Sequence, residues 1–275
     1  MTPHMAKRLV CCLSVIALMA AGVALVADAD AAEAMTVSTA INKAGRQRML
    51  SQRLAKAYLM VGQGILPERA NGLLKDSLSL FDAQLAELKG FVPNDGVRVA
   101  LAQLERAWNE YRPMLTAPAD AKGASQVYEL NELVQTAAHR LTLAYEKSAA
   151  GRSDRLVNIA GRQRMLSQRM AKYYLFQVWG VNTPAARMEL NLARTEFSSA
   201  MHQLYIAPRT IPEIDTVLKN LDREWIQYRE ALSVRRDAAE FMHAAADIVE
   251  RSEHVLELTE KLVALYEQQA KAANR

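Results

Sequence analysis

Cysteine is almost absent from this chain: the 2 that occur, Cys11 and Cys12, lie side by side near the start. Beyond residue 34 there is accordingly no disulfide, thiolate nucleophile or zinc–thiolate site. Gly-rich phosphate loops, C-x-x-C-H haem sites and nucleophile–base pairings are missing too, so the sequence predicts no enzyme, no cofactor and no metal centre. Glu240-x-x-His243 is half of a carboxylate di-metal signature, and the other half is nowhere in the chain. With only 8 prolines and 11 glycines in 275 residues, breakers are rare. Ala, Leu, Glu, Gln, Arg and Lys dominate, a composition that favours helix.

Residues 1–34 stand apart. Lys7 and Arg8 precede an apolar run from Leu9 to Ala27, followed by Ala-x-Ala spacings at Ala27–Ala29 and Ala32–Ala34. This pattern predicts a secretory signal peptide, with an uncleaved N-terminal anchor as the alternative, and so a periplasmic location. Without that segment Lys+Arg falls to 32 and Asp+Glu to 27, leaving a net charge of +5. The charges are interspersed, which argues against nucleic acid and favours a small anion.

The rest is a tandem repeat. "AGRQRMLSQR" occupies Ala44–Arg53 and returns at Ala160–Arg169, an offset of 116 residues. "WNEYR" (Trp108–Arg112) matches "WIQYR" (Trp225–Arg229), and "LTLAYE" (Leu141–Glu146) matches "LVALYE" (Leu262–Glu267). Two modules are expected, at 35–150 and 151–275. Apolar spacing and breakers predict four helices in the first, over about 37–64, 68–89, 96–115 and from about 125 onward. Leu78, Phe81, Leu85 and Leu88 form one core stripe, and Leu101, Leu104 and Trp108 another. The W-x-x-Y-R tryptophans and tyrosines read as core landmarks, with the tyrosine hydroxyl and the arginine able to reach the bundle edge. Nothing before Gly180 clearly stops the fourth helix, so it is read as continuous with the first helix of module two. The expected fold class is all-α: two tandem antiparallel four-helix bundle modules stacked end to end, sharing a long continuous helix. Thr183-Pro184 and Asp237 with Glu240 are expected helix starts, and His139, His202 and His254 read as surface or edge residues.

The repeat is uneven. From Ala44 to Lys56, 12 of 13 positions are identical to their counterparts, whereas from Asn71 to Gly90 only 3 of 20 are. Packing alone tolerates swaps of similar volume, so the first window answers to something stricter. On a helical wheel Ala44, Arg48, Ser51 and Ala55 share one stripe, as do Ala160, Arg164, Ser167 and Ala171. Asn42, Arg46, Met49 and Arg53 form a second stripe. Each first stripe sets one guanidinium among small residues, with Gly45 or Gly161 permitting close backbone approach. Buried there, the guanidinium needs a carboxylate from a facing helix or a bound anion. Its planar fork suits a planar oxyanion. Both readings stand on geometry alone.

"INKAGRQRMLSQRLAK" and "VNIAGRQRMLSQRMAK" closely resemble the hallmark of the PilJ-like sensory domain, the N-terminal domain of type IV pilus methyl-accepting chemotaxis transducers. They are similar also to the P-box of nitrate/nitrite sensor kinases. The resemblance implies periplasmic four-helix sensor modules that dimerise through the motif helix. It also implies that Arg48 and Arg164 match the arginine that contacts nitrate where two motif helices meet. Arg46 and Arg162, where the nitrate sensors carry a small residue, follow the pilus transducers instead. The expected site is therefore Arg48 and Arg164 as primary contacts, Gly45, Gly161, Ser51 and Ser167 shaping the approach, and Arg46 and Arg162 secondary. The expected ligand is a small anion, nitrate or nitrite, and the expected assembly a homodimer through the motif helices. No second span, HAMP linker or kinase follows, so a separate membrane receptor or transport protein is expected to read the signal. The competing expectation is a structural or interaction subunit of a chemoreceptor or pilus system, with the arginines locked in ion pairs.

Overall fold

A computed structural model describes residues 35–149, 152–233 and 238–273. The expected signal peptide and the Asp237 helix start lie outside the described residues. Among those described, all regular structure is helical: α1 (Val37–Gln63), α2 (Pro67–Lys89), α3 (Asp95–Thr116), α4 (Ala121–Lys147), α5 (Arg152–Val178), α6 (Thr183–Ile206), α7 (Glu213–Ser233) and α8 (Ala238–Ala273). The chain from Met35 onward is one compact unit.

The helix ends follow local chemistry. Thr36, Asn94 and Asp120 accept from the backbone N–H three residues on and cap α1, α3 and α4. Gly64 (φ 66°) and Gly180 (φ 73°) take the left-handed conformation that stops α1 and α5. Asn182, not Thr183, precedes α6, also with positive φ, as Leu66 does at the same place in module one. Pro113 sits inside α3 without ending it.

Each module packs in the same way: α1 against α2 and α4, α5 against α6 and α8, with α3 on α4 and α7 on α8. The stripes expected to be core are core. Phe81, Leu85, Leu88, Leu101, Leu104 and Trp108 are buried, Phe81 stacks on Trp108 at 3.7 Å, and Phe197 meets Trp225 at 4.3 Å.

The long shared helix and the end-to-end stack are not what forms. α4 ends at Lys147, capped by Ser148, whose hydroxyl bonds back to the Ala144 carbonyl and receives the Asn94 amide. α5 then runs back alongside α4, as the pairs Glu146–Asn158 and Glu132–Lys172 show. α1 and α5 lie side by side and parallel, Ser38 against Asp154 near their starts and Gln63 against the Leu175 carbonyl near their ends. The physical reason is burial. Ile41, Gln47, Arg48, Ser51, Gln52, Leu54 and Lys56 are all at most 1 % exposed, so α1 is buried around most of its circumference. Between Ile41 and Lys56 only Asn42, Arg46 and Arg53 of the second stripe and the neighbouring Lys43 are partly open. A helix in one four-helix bundle hides a stripe only; hiding this much takes a second bundle beside it.

Candidate functional site

The identical window of the repeat makes several matching contacts. Gln47 and Gln163 donate to the carbonyls of Phe81 and Phe197 at 3.2 and 3.0 Å. Ser51 and Ser167 each donate to the arginine carbonyl three residues back at 2.8 Å. Tyr111 and Tyr228 of the W-x-x-Y-R motifs point inward and donate to the carbonyls of those serines. Gln52 donates to Asn131 and Gln168 to the Ser252 carbonyl. Ser51 and Ser167 thus hold backbone rather than line an open approach.

The second stripe is a ladder reaching into the other module. On α8, Glu253, Glu260 and Glu267 recur every seven residues, facing α1. Glu267 accepts from Asn42 at 2.5 Å, Glu260 from Arg46 at 2.5 Å, and Glu253 from Arg53 and from Lys56, the latter at 2.5 Å. On α4, Glu132, His139 and Glu146 have the same spacing and face α5. Glu146 accepts from Asn158, and Glu132 from Lys172 at 2.6 Å, Arg169 at 3.0 Å and Tyr173 at 2.9 Å. Burial alone would raise both Glu132 and Glu253, yet the adjacent lysine and arginine hold each down at about 2. Burial in turn brings Lys56 and Lys172 down to about 8 despite these partners. The Glu253 and Glu132 rungs are therefore structural ion pairs, and the Glu267 and Glu146 rungs are amide–carboxylate hydrogen bonds.

The middle rung differs. Arg162 faces no carboxylate on α4, where His139 stands in the position of Glu260; it pairs instead with Glu196 of α6 at 2.8 Å. Arg46 and Arg162 are thus ion-paired to unlike partners.

Between the ladders lies the seam of α1 and α5. Arg48 and Arg164 are both 0 % exposed. Arg48 donates to the Asn158 side chain at 2.9 Å, across the seam, and Arg164 to the Asn42 carbonyl at 3.2 Å in return. A side-chain carbon added at Gly45 would sit 3.1 Å from the Arg48 Nη2 and 3.6 Å from the Arg164 Nη2; at Gly161 the distances are 3.2 and 3.6 Å in the reverse order. Both guanidiniums therefore converge on one small space that the two glycines keep open. The structure brings together Arg48, Arg164, Gly45 and Gly161 in a single seam, not one pocket per bundle.

The two cations are met unequally. Arg164 donates to Glu260 at 2.9 Å. Arg48 donates instead to the His139 Nδ1 at 3.2 Å, and among the described residues no carboxylate lies within ion-pair distance of it. Burial, then the charges of Arg162 and Arg164, lower Arg48 to about 9, with Glu146 opposing. Burial and the same kind of repulsion, from Arg48 and Arg162, push His139 down to about 4, so at neutral pH it is an uncharged acceptor. Like charges a few ångströms apart inside a protein repel by roughly 2–4 kcal/mol. Each guanidinium also keeps a buried Nε–H without an acceptor, a penalty of about 1–3 kcal/mol apiece.

His139, read from the sequence as an edge residue, thus belongs to the site, as do Glu260, Asn42 and Asn158. The seven-residue spacing of Glu132/His139/Glu146 and Glu253/Glu260/Glu267 was the signal for His139 and Glu260.

Comparison with protein families returned one family, described as the type IV pili methyl-accepting chemotaxis transducer N-terminal domain (PilJ). It matches residues 31–133 and again 145–248, together more than half of the chain. The chain belongs to the PilJ family. Its two PilJ copies coincide with the two sequence repeats, and each contributes one motif helix to the seam. Comparison with curated proteins and with solved structures returned no match. The expected homodimer through the motif helices finds its contact surface already used: in this PilJ chain the two motif helices bury each other within one molecule. Among the described residues no helix is long and apolar enough to cross a membrane.

Proposed function

We propose that this tandem PilJ protein is a non-enzymatic sensor of a small oxyanion, nitrate or nitrite, held between α1 and α5. It acts in the periplasm and reports to a separate membrane receptor or transport protein. One observation carries the reading: two fully buried guanidiniums face a common space, and among the described residues Glu260 is the one carboxylate that ion-pairs with either of them. A planar oxyanion there supplies the missing negative charge and accepts paired N–H bonds from a guanidinium fork. Gly45 and Gly161 leave the room, and Arg48 is the primary contact. Anion binding draws α1 and α5 together, a shift between packed helices that a partner reads at the bundle surface.

The Arg164–Glu260 pair favours a second reading at that end, a purely structural ion pair. The two readings separate in a melting experiment on the chain from residue 35 onward. Nitrate or nitrite at a hundredfold excess over Kd adds about 2.7 kcal/mol of stability, roughly 5–10 °C for a protein of this size. The rise disappears in Arg48→Ala. A melting temperature that neither anion changes leaves the structural reading in place.

A further inference from the structure

The inequality of the middle rung has a spatial counterpart. A groove of about 510 Å³ opens between α4, α5 and α6, lined among others by His139, Asn158, Arg155, Arg162, Glu146 and Glu196. His139 and Asn158 are the two side chains to which Arg48 donates. A single layer of uncharged side chains therefore separates this groove from a buried guanidinium. Arg155 and Arg162 offset the two glutamates of the groove wall, so Arg48 behind the layer leaves the surroundings net positive.

The opposite side is built differently. The group that meets Arg164 from α8 is Glu260, and the same carboxylate also binds Arg46. Burial would raise Glu260, but Arg164 and Arg46 overcome it and keep it ionised. Displacing a neutral imidazole breaks one hydrogen bond in which only the donor is charged. Displacing Glu260 breaks two in which donor and acceptor are both charged. Arg162 is also easier to recruit than Arg46: its partner Glu196 is 45 % exposed, and exposed pairs contribute little.

We propose that the anion reaches the seam from one side only, through the α4–α5–α6 groove. Arg155 and Arg162 attract it, His139 yields, and it settles against Arg48, while Glu260 acts as a built-in competitor that keeps Arg164 occupied. The inference rests on the anion-sensing reading and assigns its access route, its gate and its affinity-setting residue. A histidine at the α4 position and a glutamate at the α8 position together make the module-one guanidinium the receptive one.

Calorimetric titration with sodium nitrate and sodium nitrite tests this. Wild-type protein binds one anion per chain. E260Q binds at least fivefold more tightly, because Arg164 then shares the ligand. H139E, which repeats the competitor on the open side, binds at least tenfold more weakly, with a cooperative melt showing that the variant is folded. The surface variant R155Q/R162Q weakens binding severalfold with an unchanged melting temperature. Unaltered affinity in H139E or R155Q/R162Q, or weaker binding in a folded E260Q, overturns the one-sided route while leaving the sensor reading intact. Wild-type protein that binds neither anion overturns the sensor reading and this inference with it.

Discussion

The two ladders of this molecule, α1 on α8 and α5 on α4, share their outer rungs and differ at the middle one. Asn42–Glu267 matches Asn158–Glu146, and the Arg53/Lys56 clamp on Glu253 matches the Arg169/Lys172 clamp on Glu132. At the centre, Glu260 answers His139. Within one pseudo-symmetric frame, the clamps fix the distance between helices and the middle rung sets how much charge the seam has left over. Outer and middle rungs should therefore respond differently to substitution.

The largest effect is expected at the outer rungs. Glu253→Ala strands Lys56, whose side chain is 0 % exposed against a glutamate exposed by 6 %, and should cost about 3–5 kcal/mol in urea unfolding. Glu132→Ala strands Lys172 beside a glutamate exposed by 31 %, where water reaches, so about 2–3 kcal/mol is expected. Equal losses would show that solvent access does not distinguish the clamps.

At the middle rung Glu260→Gln should cost about 1–2 kcal/mol, because Arg164 and Arg46 lose a partly exposed charged partner. His139→Gln should cost under about 1 kcal/mol, since only a neutral acceptor is exchanged. A larger loss from the histidine variant would reverse the account of which side is committed.

The middle rungs should also separate by pH. His139 has a folded value near 4, below the ordinary 6.5, so the unfolded chain binds the extra proton first. Its contribution is complete at neutral pH and fades as pH falls from about 6.5 towards 4, by on the order of 1 kcal/mol once solvent screening is allowed for. Glu260, held below its ordinary 4.5, adds a loss only as pH falls below that value. Melting curves between pH 7 and 4 should fall for wild type and flatten in His139→Gln.

The smallest effect on stability is expected at the glycines. Gly45→Ala gains about 1 kcal/mol of helix propensity and loses a similar amount by crowding the Arg48 Nη2 at 3.1 Å. Its melting temperature should hardly move, while the rise produced by nitrate or nitrite should shrink.

Much of the fold could be read from the sequence because apolar periodicity reports which stripe of a helix is hidden. Leu85, Leu88, Leu101, Leu104 and Trp108 obeyed it. The reversal after Lys147 could not be read that way. Ser148 is a weak breaker, and no proline intervenes before α5. What forces the turn is that α1 and α5 each need cover around most of their circumference, yet Gln47, Gln52 and Lys56 look like surface residues on a helical wheel. They are buried because each finds a partner on a helix distant in sequence. The decamer marked the stretch of α1 and α5 that packs along their common seam. That Arg48 and Arg164 share one space depends on the side-by-side arrangement, which no local pattern encodes.

The parallel pairing of α1 with α5 inside one chain has a consequence for mass action. Two separate subunits must meet before such a seam exists, and they part again on dilution. Here the tether supplies the second helix at a fixed effective concentration. The share of molecules with an assembled seam is then independent of how much protein is present. Under the proposed sensor reading the response is then set by ligand alone, with the same midpoint in a sparse population as in a crowded one.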